Sequence, residues 1–336
     1  MLAFAGVAFF FSAGGEGENR LPDRAGPLAD AVTESLPFWK GVNFTAERPA
    51  PYGSEAAAET LDRLPEYGIN AIALVPYAAG RLGSPEIRFP LDWERDEGVE
   101  SLARQAHALG LRVMLKPQVW VRGGFPGHLT FDSAVDRRRF FENYRKFVRH
   151  YAALAERIDA DLFCVGVEFA ELTRDENEWR ELFALAREHY QGPLTYAANF
   201  GDEFERVAFW DDLDYIGLDN YYPLPDDLST EAIVAKIAHV AERFQKPVLF
   251  TEAGFAAYEH THHKPWEDEP GGAPSGAAQA RAYEATFRGF YGEPWLHGIF
   301  WWKVGTNGFE GRTPAHSPWG RPAMEVMGRW YTSDQR

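Results

Sequence analysis

The chain has 336 residues, of which 45% are hydrophobic and 25% charged, and its net charge is −16 at pH 7. This composition is typical of a globular protein and argues against long disordered regions. The acidic balance disfavours nucleic acid, anionic membranes and polyanionic substrates as partners, and the single cysteine, Cys164, excludes an internal disulfide and a cysteine-based zinc cluster. Aromatic residues make up 15% of the chain, more than a core usually needs, so we expect some of them to line a surface or cleft.

The chain starts with an apolar run, Leu2–Phe11, which small residues follow at Ser12–Gly15. This pattern is typical of a signal peptide and is too short to span a bilayer as an ordinary helix, although no Lys or Arg precedes it. We expect residues 1–15 to be a signal peptide and residues 16–37 a linker. The protein is then secreted or periplasmic, with no stable membrane insertion; the alternative is a frayed apolar tail.

Short apolar runs and helical stretches alternate through the rest of the chain. The runs predicted as strands are Gly41–Thr45, Asn70–Tyr77, Leu111–Trp120, Leu162–Glu168, Leu194–Asn199, Tyr215–Tyr221, Val248–Glu252 and Gly298–Trp302. Amphipathic stretches between them include Ser54–Tyr67, Gly98–Leu109, Asp136–Arg157, Asn177–His189 and Thr230–Phe244.

Eight strands, most of them separated by helices, predict an α/β fold with a single (β/α)8 barrel over residues 38–336. A doubly wound sheet is the alternative. That fold usually has a glycine-rich phosphate loop after its first strand, and none follows Gly41–Thr45.

Two of the predicted strands end in a glutamate: Glu168 ends the fourth run and Glu252 the seventh. The active site of such a barrel lies at the C-terminal ends of its strands, where a carboxylate after apolar residues is costly to desolvate. Glycoside hydrolysis uses a facing pair of this kind, since one carboxylic acid protonates the leaving oxygen while one carboxylate attacks or stabilises the anomeric carbon. The alternative is that each glutamate is paired with a nearby Arg or Lys.

Residues near the other strand ends are candidates for substrate binding. Tyr221 and Tyr222 end the sixth run, and we expect one phenol hydroxyl to donate to Glu252. Trp301 and Trp302 end the eighth run, and the period of two sends their indoles to opposite faces, so one of them is expected to contact a sugar ring. The remaining candidates, each with plain packing as the alternative, are Lys303, Asn199, Trp120, Gln118, Asn43 and Tyr77.

Asp219 has the same strand parity as Tyr221 and is a rival catalytic carboxylate. It lies short of the strand end, so we expect it to brace the site.

The run His260–His263 suggests a metal site, but it has neither the HExxH motif nor comparable helical spacing. We expect this segment to be a polar loop bordering the cleft, with no bound metal.

Several segments resemble glycoside hydrolase family 113, a family of clan A retaining (β/α)8 glycosidases whose characterised members are β-1,4-mannanases. The matching segments are KGVNF (Lys40–Phe44), DYIGLDNYYPL (Asp214–Leu224), PVLFTEAGF (Pro247–Phe255), GIFWWK (Gly298–Lys303) and SPWGRPAMEVM (Ser317–Met327). The resemblance covers roughly residues 38–331. It implies that Glu168 is the acid/base and Glu252 the nucleophile, that no cofactor is needed, and that the substrate is β-mannan or a related β-linked polysaccharide.

One residue departs from the pattern of the clan. Many clan members have Asn just before the acid/base, where it contacts the sugar 2-hydroxyl, and this chain has Val167 there. Either another polar residue makes that contact or substrate recognition differs. The alternatives are a clan A enzyme acting on β-glucan or xylan, a non-catalytic carbohydrate-binding barrel, and a metal-dependent hydrolase on a similar barrel.

Overall fold

A computed structural model describes residues 37–308 and 315–333. The predicted signal peptide, and the predicted linker apart from Pro37, lie outside the described residues. No helix among the described residues is long and apolar enough to cross a membrane.

The described chain contains ten β-strands, eight of which form a closed parallel barrel in the order β1-β2-β4-β6-β7-β8-β9-β10, with β10 pairing back to β1. The strands are β1 (Trp39–Thr45), β2 (Ala71–Leu74), β3 (Tyr77–Arg81), β4 (Arg112–Leu115), β5 (Gln118–Arg122), β6 (Leu162–Val167), β7 (Leu194–Asn199), β8 (Ile216–Asn220), β9 (Val248–Ala253) and β10 (Leu296–Gly305).

Helices separate the barrel strands. They are α1 (Glu55–Asp62), α2 (Asp96–Ala108), α3 (Ala134–Arg157), α4 (Glu176–His189), α5 (Asp202–Arg206), α6 (Glu231–Phe244), α7 (Gly276–Phe290) and α8 (Pro322–Thr332). Ser54, Ser133 and Ser275 cap the N-termini of α1, α3 and α7 by accepting hydrogen bonds from backbone amides of the first turn. The predicted single (β/α)8 barrel is confirmed.

Two of the runs predicted as single strands are each divided by a proline. After Pro76 and after Pro117 the chain leaves the barrel, because proline has no N–H to donate to a neighbouring strand. The continuations, β3 and β5, pair with each other in a separate parallel two-stranded sheet. Since they follow the C-terminal ends of β2 and β4, this small sheet extends the mouth of the barrel.

Much of the aromatic content packs between the barrel and helices α3 and α4. Trp179 is fully buried and contacts the rings of Tyr144, Phe169 and Tyr196. A Cβ on Gly166 would come within 2.7 Å of the Trp179 ring, so only glycine allows this close approach of the strand. Phe169 directly follows Glu168, and its packing therefore anchors the segment that carries the candidate acid.

Candidate active site

Both candidate glutamates line one cleft of about 590 Å³ at the C-terminal ends of the barrel strands. Glu168 directly follows β6, the fourth barrel strand, and Glu252 lies in β9, the seventh. The cleft is lined by carboxyl groups, side-chain amides, imidazoles and several aromatic rings. The lining residues are Gln118, Phe125, His128, Glu168, Asn199, Phe200, Tyr221, Glu252, Trp266, Asp268, Trp302 and His316.

The Glu252 carboxylate accepts hydrogen bonds from three side chains. Lys116 Nζ and Gln118 Nε2 both donate to Oε1, the amide at 2.7 Å, and the Tyr221 hydroxyl donates to Oε2 at 2.8 Å. These donors come from the β4 end, the start of β5 and the β8 end, so three elements converge on one carboxylate. They stabilise its charged form and hold its orientation, which are the two needs of a nucleophile.

Lys116 is the cation beneath the cleft, and its side chain is fully buried. Burial alone would lower the pKa of Lys116, but the nearby carboxyl groups of Glu252 and Asp219 outweigh that effect and raise it. Lys116 therefore stays charged and forms a buried ion pair with Glu252. Lys116 was not among the residues predicted for the site, although a lysine among the apolar residues of the third run was a visible signal.

Glu168 occupies the left-handed backbone region, with φ of 57°. This conformation is uncommon for a residue with a side chain and is found preferentially at functional sites. Desolvation, followed by the negative charges of Asp219 and Glu252, raises the pKa of Glu168 well above its ordinary value. The environment thus favours the protonated carboxyl, the form that a general acid needs.

A buried carboxyl group on α5 supports the segment that follows Glu168. Glu203 accepts a hydrogen bond from the Tyr196 hydroxyl at 2.6 Å and another from the backbone amide of Asn199 at 2.8 Å. Tyr196 in turn accepts from the amide of Phe169 at 2.7 Å. Burial raises the pKa of Glu203 to about 7. This network, which the sequence analysis missed, joins the end of β7 to the residue after Glu168.

Asn199 lines the cleft and also has an unpaired polar atom. Its side-chain Oδ1 is buried and has no hydrogen-bond partner among the described residues, although an unpaired buried acceptor is costly. Val167, by contrast, is a buried residue of β6 that packs with apolar neighbours inside the barrel. Asn199 therefore gives the cleft lining a polar side chain, which Val167 does not.

Several aromatic rings form part of the cleft wall. Phe200 and Trp266 stack at 5.4 Å between ring centroids, and Trp266 remains 46% exposed. Phe125 and His128 form an edge contact at 4.2 Å. Trp302 lies near the buried cation, since Lys116 Nζ is 5.3 Å from its ring centroid. Such faces suit the C–H surfaces of pyranose rings.

Two of the candidate substrate-binding residues lie away from the cleft. Trp301 is fully buried and stacks on Tyr283 of α7 at 3.8 Å, because alternate residues of β10 point outward to the helices. Asn43 is also fully buried, and its amide donates to the backbone carbonyls of Thr251 and Phe300. Both residues pack within the barrel wall and neither lines the cleft.

The other candidates border the cleft or lie behind its wall. Trp120 is 57% exposed on β5, two residues beyond Gln118, and is not among the lining residues. Tyr222 packs behind Phe200, with its hydroxyl donating to Glu205 at 3.3 Å. Lys303 Nζ forms an ion pair with Glu47 at 2.6 Å. Tyr77, at the start of β3, is partly buried.

Asp219 is fully buried and lies in register with Glu252 on the neighbouring strand. It accepts a hydrogen bond from the Thr251 hydroxyl at 2.7 Å and is not part of the cleft lining. Desolvation, and then the charge of Glu252, raises the pKa of Asp219 well above its ordinary value. Because Asp219 is buried and does not line the cleft, it supports the site and cannot reach a substrate as a nucleophile.

A (β/α)8 barrel that brings two glutamates from its fourth and seventh strands into one cleft has the architecture of a glycoside hydrolase. The family model of Glycoside Hydrolase Family 113 matches residues 42–317. The chain belongs to this family.

Solved structures of family members are similar over nearly their whole length. The GH113 β-mannanase AaManA from Alicyclobacillus acidocaldarius, solved in complex with ManMIm, is 31% identical, with a TM-score of 0.82, covering 88% of this chain and 98% of that one. A structure described as a complex of a GH113 β-1,4-mannanase is 28% identical, with a TM-score of 0.82, covering 89% of this chain and 100% of that one.

More distant structures share the fold alone. The Faecalibacterium prausnitzii β-glucuronidase is 16% identical, with a TM-score of 0.63, covering 87% of this chain and 48% of that one. A comparison with curated proteins returned no match.

Proposed function

We propose that the protein is a retaining β-1,4-mannanase in which Glu252 is the nucleophile and Glu168 the acid/base. The observation that carries the proposal is the contrast between the two glutamates of one cleft. Glu252 is held by three donors, one of them a buried cation, whereas the surroundings of Glu168 favour its protonated form. The family membership and the β-mannanase relatives support mannan as the substrate.

The reaction then proceeds in two displacements that use only these carboxyl groups and water. In the first, Glu168 gives its proton to the glycosidic oxygen while a carboxylate oxygen of Glu252 bonds to the anomeric carbon, and the leaving sugar departs with its hydroxyl. In the second, the Glu168 carboxylate takes a proton from water, the water oxygen bonds to the anomeric carbon, and Glu252 is released as carboxylate. Two inversions give net retention.

The remaining cleft residues bind the sugar chain. Trp302 provides an apolar face next to the nucleophile, and the Phe200–Trp266 pair provides a second one further out. Asn199, which lines the cleft, makes the polar contact with a sugar hydroxyl that Val167 cannot make.

Reducing-sugar release from β-mannan, glucomannan, cellulose and xylan tests this proposal, with the wild type and Glu252→Ala assayed in parallel. We expect mannan and glucomannan to be cleaved by the wild type and not by the variant. Activity confined to cellulose or xylan would refute the substrate while keeping the nucleophile. Saturable mannan binding without hydrolysis would refute the enzymatic proposal. Proton NMR of the first product checks retention, since an α-anomer formed first from a β-linked substrate would refute the double displacement.

The role of Glu168 is tested by measuring how the activity of Glu168→Ala depends on the leaving group of the substrate. An acid is needed most when the leaving oxygen is poor, so the variant should lose much more activity on mannan than on an activated aryl β-mannoside. Added azide should restore turnover of the aryl substrate and yield the β-glycosyl azide. Equal losses on both substrates would contradict the assignment.

We also propose that the protein is exported, which rests on the leader-like pattern of residues 1–15. N-terminal sequencing of the protein expressed from its full coding sequence checks this. An intact N-terminus on protein confined to the cytoplasm would overturn the proposal.

A further inference from the structure

Two loops at the C-terminal side of the barrel meet outside the catalytic cleft and bring three metal-binding side chains together. Asp226 lies in the loop after β8, and His262 and His263 lie in the short 3-10 turn Thr261–His263 after β9. The amide of Leu224 donates to the carbonyl of His262 at 2.8 Å, so a backbone hydrogen bond already fixes the two loops against each other.

We propose that Asp226, His262 and His263 form a binding site for a divalent transition metal, with Zn²⁺ the best-matched ion, that joins these two loops. One ligand atom from each residue lies within 4.8 Å of the other two. Two imidazoles and one carboxylate are a common donor set for Zn²⁺, and water completes the coordination. The histidine motif alone did not predict this site, because the third ligand lies 36 residues before His262.

The two distances from Asp226 to the histidines are near the spacing that the ion requires. Bonds of about 2.0–2.2 Å in a tetrahedron place ligand atoms about 3.3–3.5 Å apart. Asp226 Oδ1 is 3.5 Å from His262 Nε2, which fits, and 2.7 Å from His263 Nε2, a hydrogen bond that must widen by roughly 0.7 Å on metal binding. The side chains of Asp226 and His263 are 88% and 49% exposed, so both have room to make this small movement.

The charge of the protein also suits a cation at this place, since the net charge of −16 favours a positive ion at the surface.

The site differs from the catalytic centre, since none of its three residues lines the cleft. Its effect on the cleft is mechanical. Trp266 lies three residues after His263 and forms part of the cleft wall, so a metal that fixes the turn restrains the segment that carries this ring. We expect Zn²⁺ to raise the thermal midpoint of the wild type by mass action on the native state.

Calorimetric titration of untagged, chelator-treated full-length protein with Zn²⁺ tests the proposal, and the visible absorption of a Co²⁺ complex reports the coordination geometry. We expect one equivalent to bind to the wild type. Asp226→Asn should weaken binding by at least about tenfold, and the double variant His262→Gln/His263→Gln should abolish it. His189→Gln, a substitution of the same kind at the end of α4, should leave binding unchanged.

Circular dichroism and mannan hydrolysis in chelator establish that each variant is folded. Absence of binding to the wild type would overturn the proposal. Binding that the double variant retains, or that His189→Gln reduces equally, would also overturn it. If neither the wild type nor the variants hydrolysed mannan, the titration would still show whether Zn²⁺ binds. Failure of the proposed function and failure of the proposed metal site are therefore distinguishable.

Discussion

The buried ion pair between Lys116 and Glu252 makes a quantitative prediction for the variant Lys116→Met. Methionine keeps the length and approximate volume of the lysine stem, so the substitution removes the charge without opening a large cavity. Glu252 then keeps its hydrogen bonds from Gln118 and Tyr221 and loses the only cation that contacts it among the described residues.

The size of the effect follows from the burial of both partners. The side chain of Lys116 is fully buried and that of Glu252 is 8% exposed. Two unit charges about 3 Å apart in a medium of effective dielectric constant about 20 attract each other by about 5 kcal/mol. Removal of one partner of a buried pair costs about 3–5 kcal/mol in other proteins. We therefore expect the free energy of unfolding at pH 7 to fall by about 3–5 kcal/mol.

The pH range of this contribution follows from the lysine. Its pKa is raised in the folded protein, so the stabilisation is fully present below the unfolded value of about 10.4 and is lost as the pH rises through the folded value. Measurements at pH 7 thus report the complete effect.

A double-mutant cycle in urea measures the pair directly. Glu252→Gln alone leaves the lysine as an unpaired buried cation and should be destabilised to a similar extent, whereas Lys116→Met/Glu252→Gln removes both charges and should recover most of the lost stability. Urea midpoints and m-values of the four proteins give the coupling energy. A double variant whose loss equals the sum of the two single losses would refute the reasoning, because packing and not charge would then account for the effects.

Other residues give further predictions. Tyr221→Phe removes a charge-assisted hydrogen bond to Glu252, worth about 1.5–3 kcal/mol, and should lower kcat by about 10–150-fold with little change in KM, as steady-state kinetics will show; an unchanged kcat would contradict the contact. Burial raises the pKa of Glu94 to about 8. Between pH 5 and 8 the folded protein therefore keeps a proton on Glu94 that the unfolded chain has released. The contribution of Glu94 to the free energy of unfolding thus falls as the pH rises from 5 to 8. Glu94→Gln should remove this part of the slope in thermal scans; parallel pH curves for the two proteins would refute it. Trp302→Ala should raise KM for mannan about tenfold through the lost sugar contact, and an unaltered KM would place the substrate elsewhere.

The barrel was predictable because each of its strands is a short apolar run and because turns and helices separate those runs. The ends of the elements were less predictable. Pro76 and Pro117 interrupt two of the runs, and the strands that start after them, β3 and β5, pair with each other outside the barrel. A proline inside an apolar run was the available signal for this division.

The candidate glutamates were predictable because the C-terminal ends of parallel strands converge at one mouth. The partner of Lys116 and the role of Glu203 were not predictable, because they depend on which side chains meet across the barrel or between β7 and α5, and a linear pattern does not encode those distances. Trp301 and Trp302 show the same limit: the period of two separates the two rings, and only the structure shows which one faces the cleft.

At position 168, the left-handed backbone favours glycine for stability, whereas catalysis requires a carboxyl group. For a residue with a Cβ that conformation costs about 1–2 kcal/mol, and glycine adopts it freely. Glu168→Gly should consequently yield a more heat-resistant protein that has lost its proton donor. Laboratory selection for thermal stability alone would favour that replacement, so a screen that aims to keep the enzyme active must score turnover in every round.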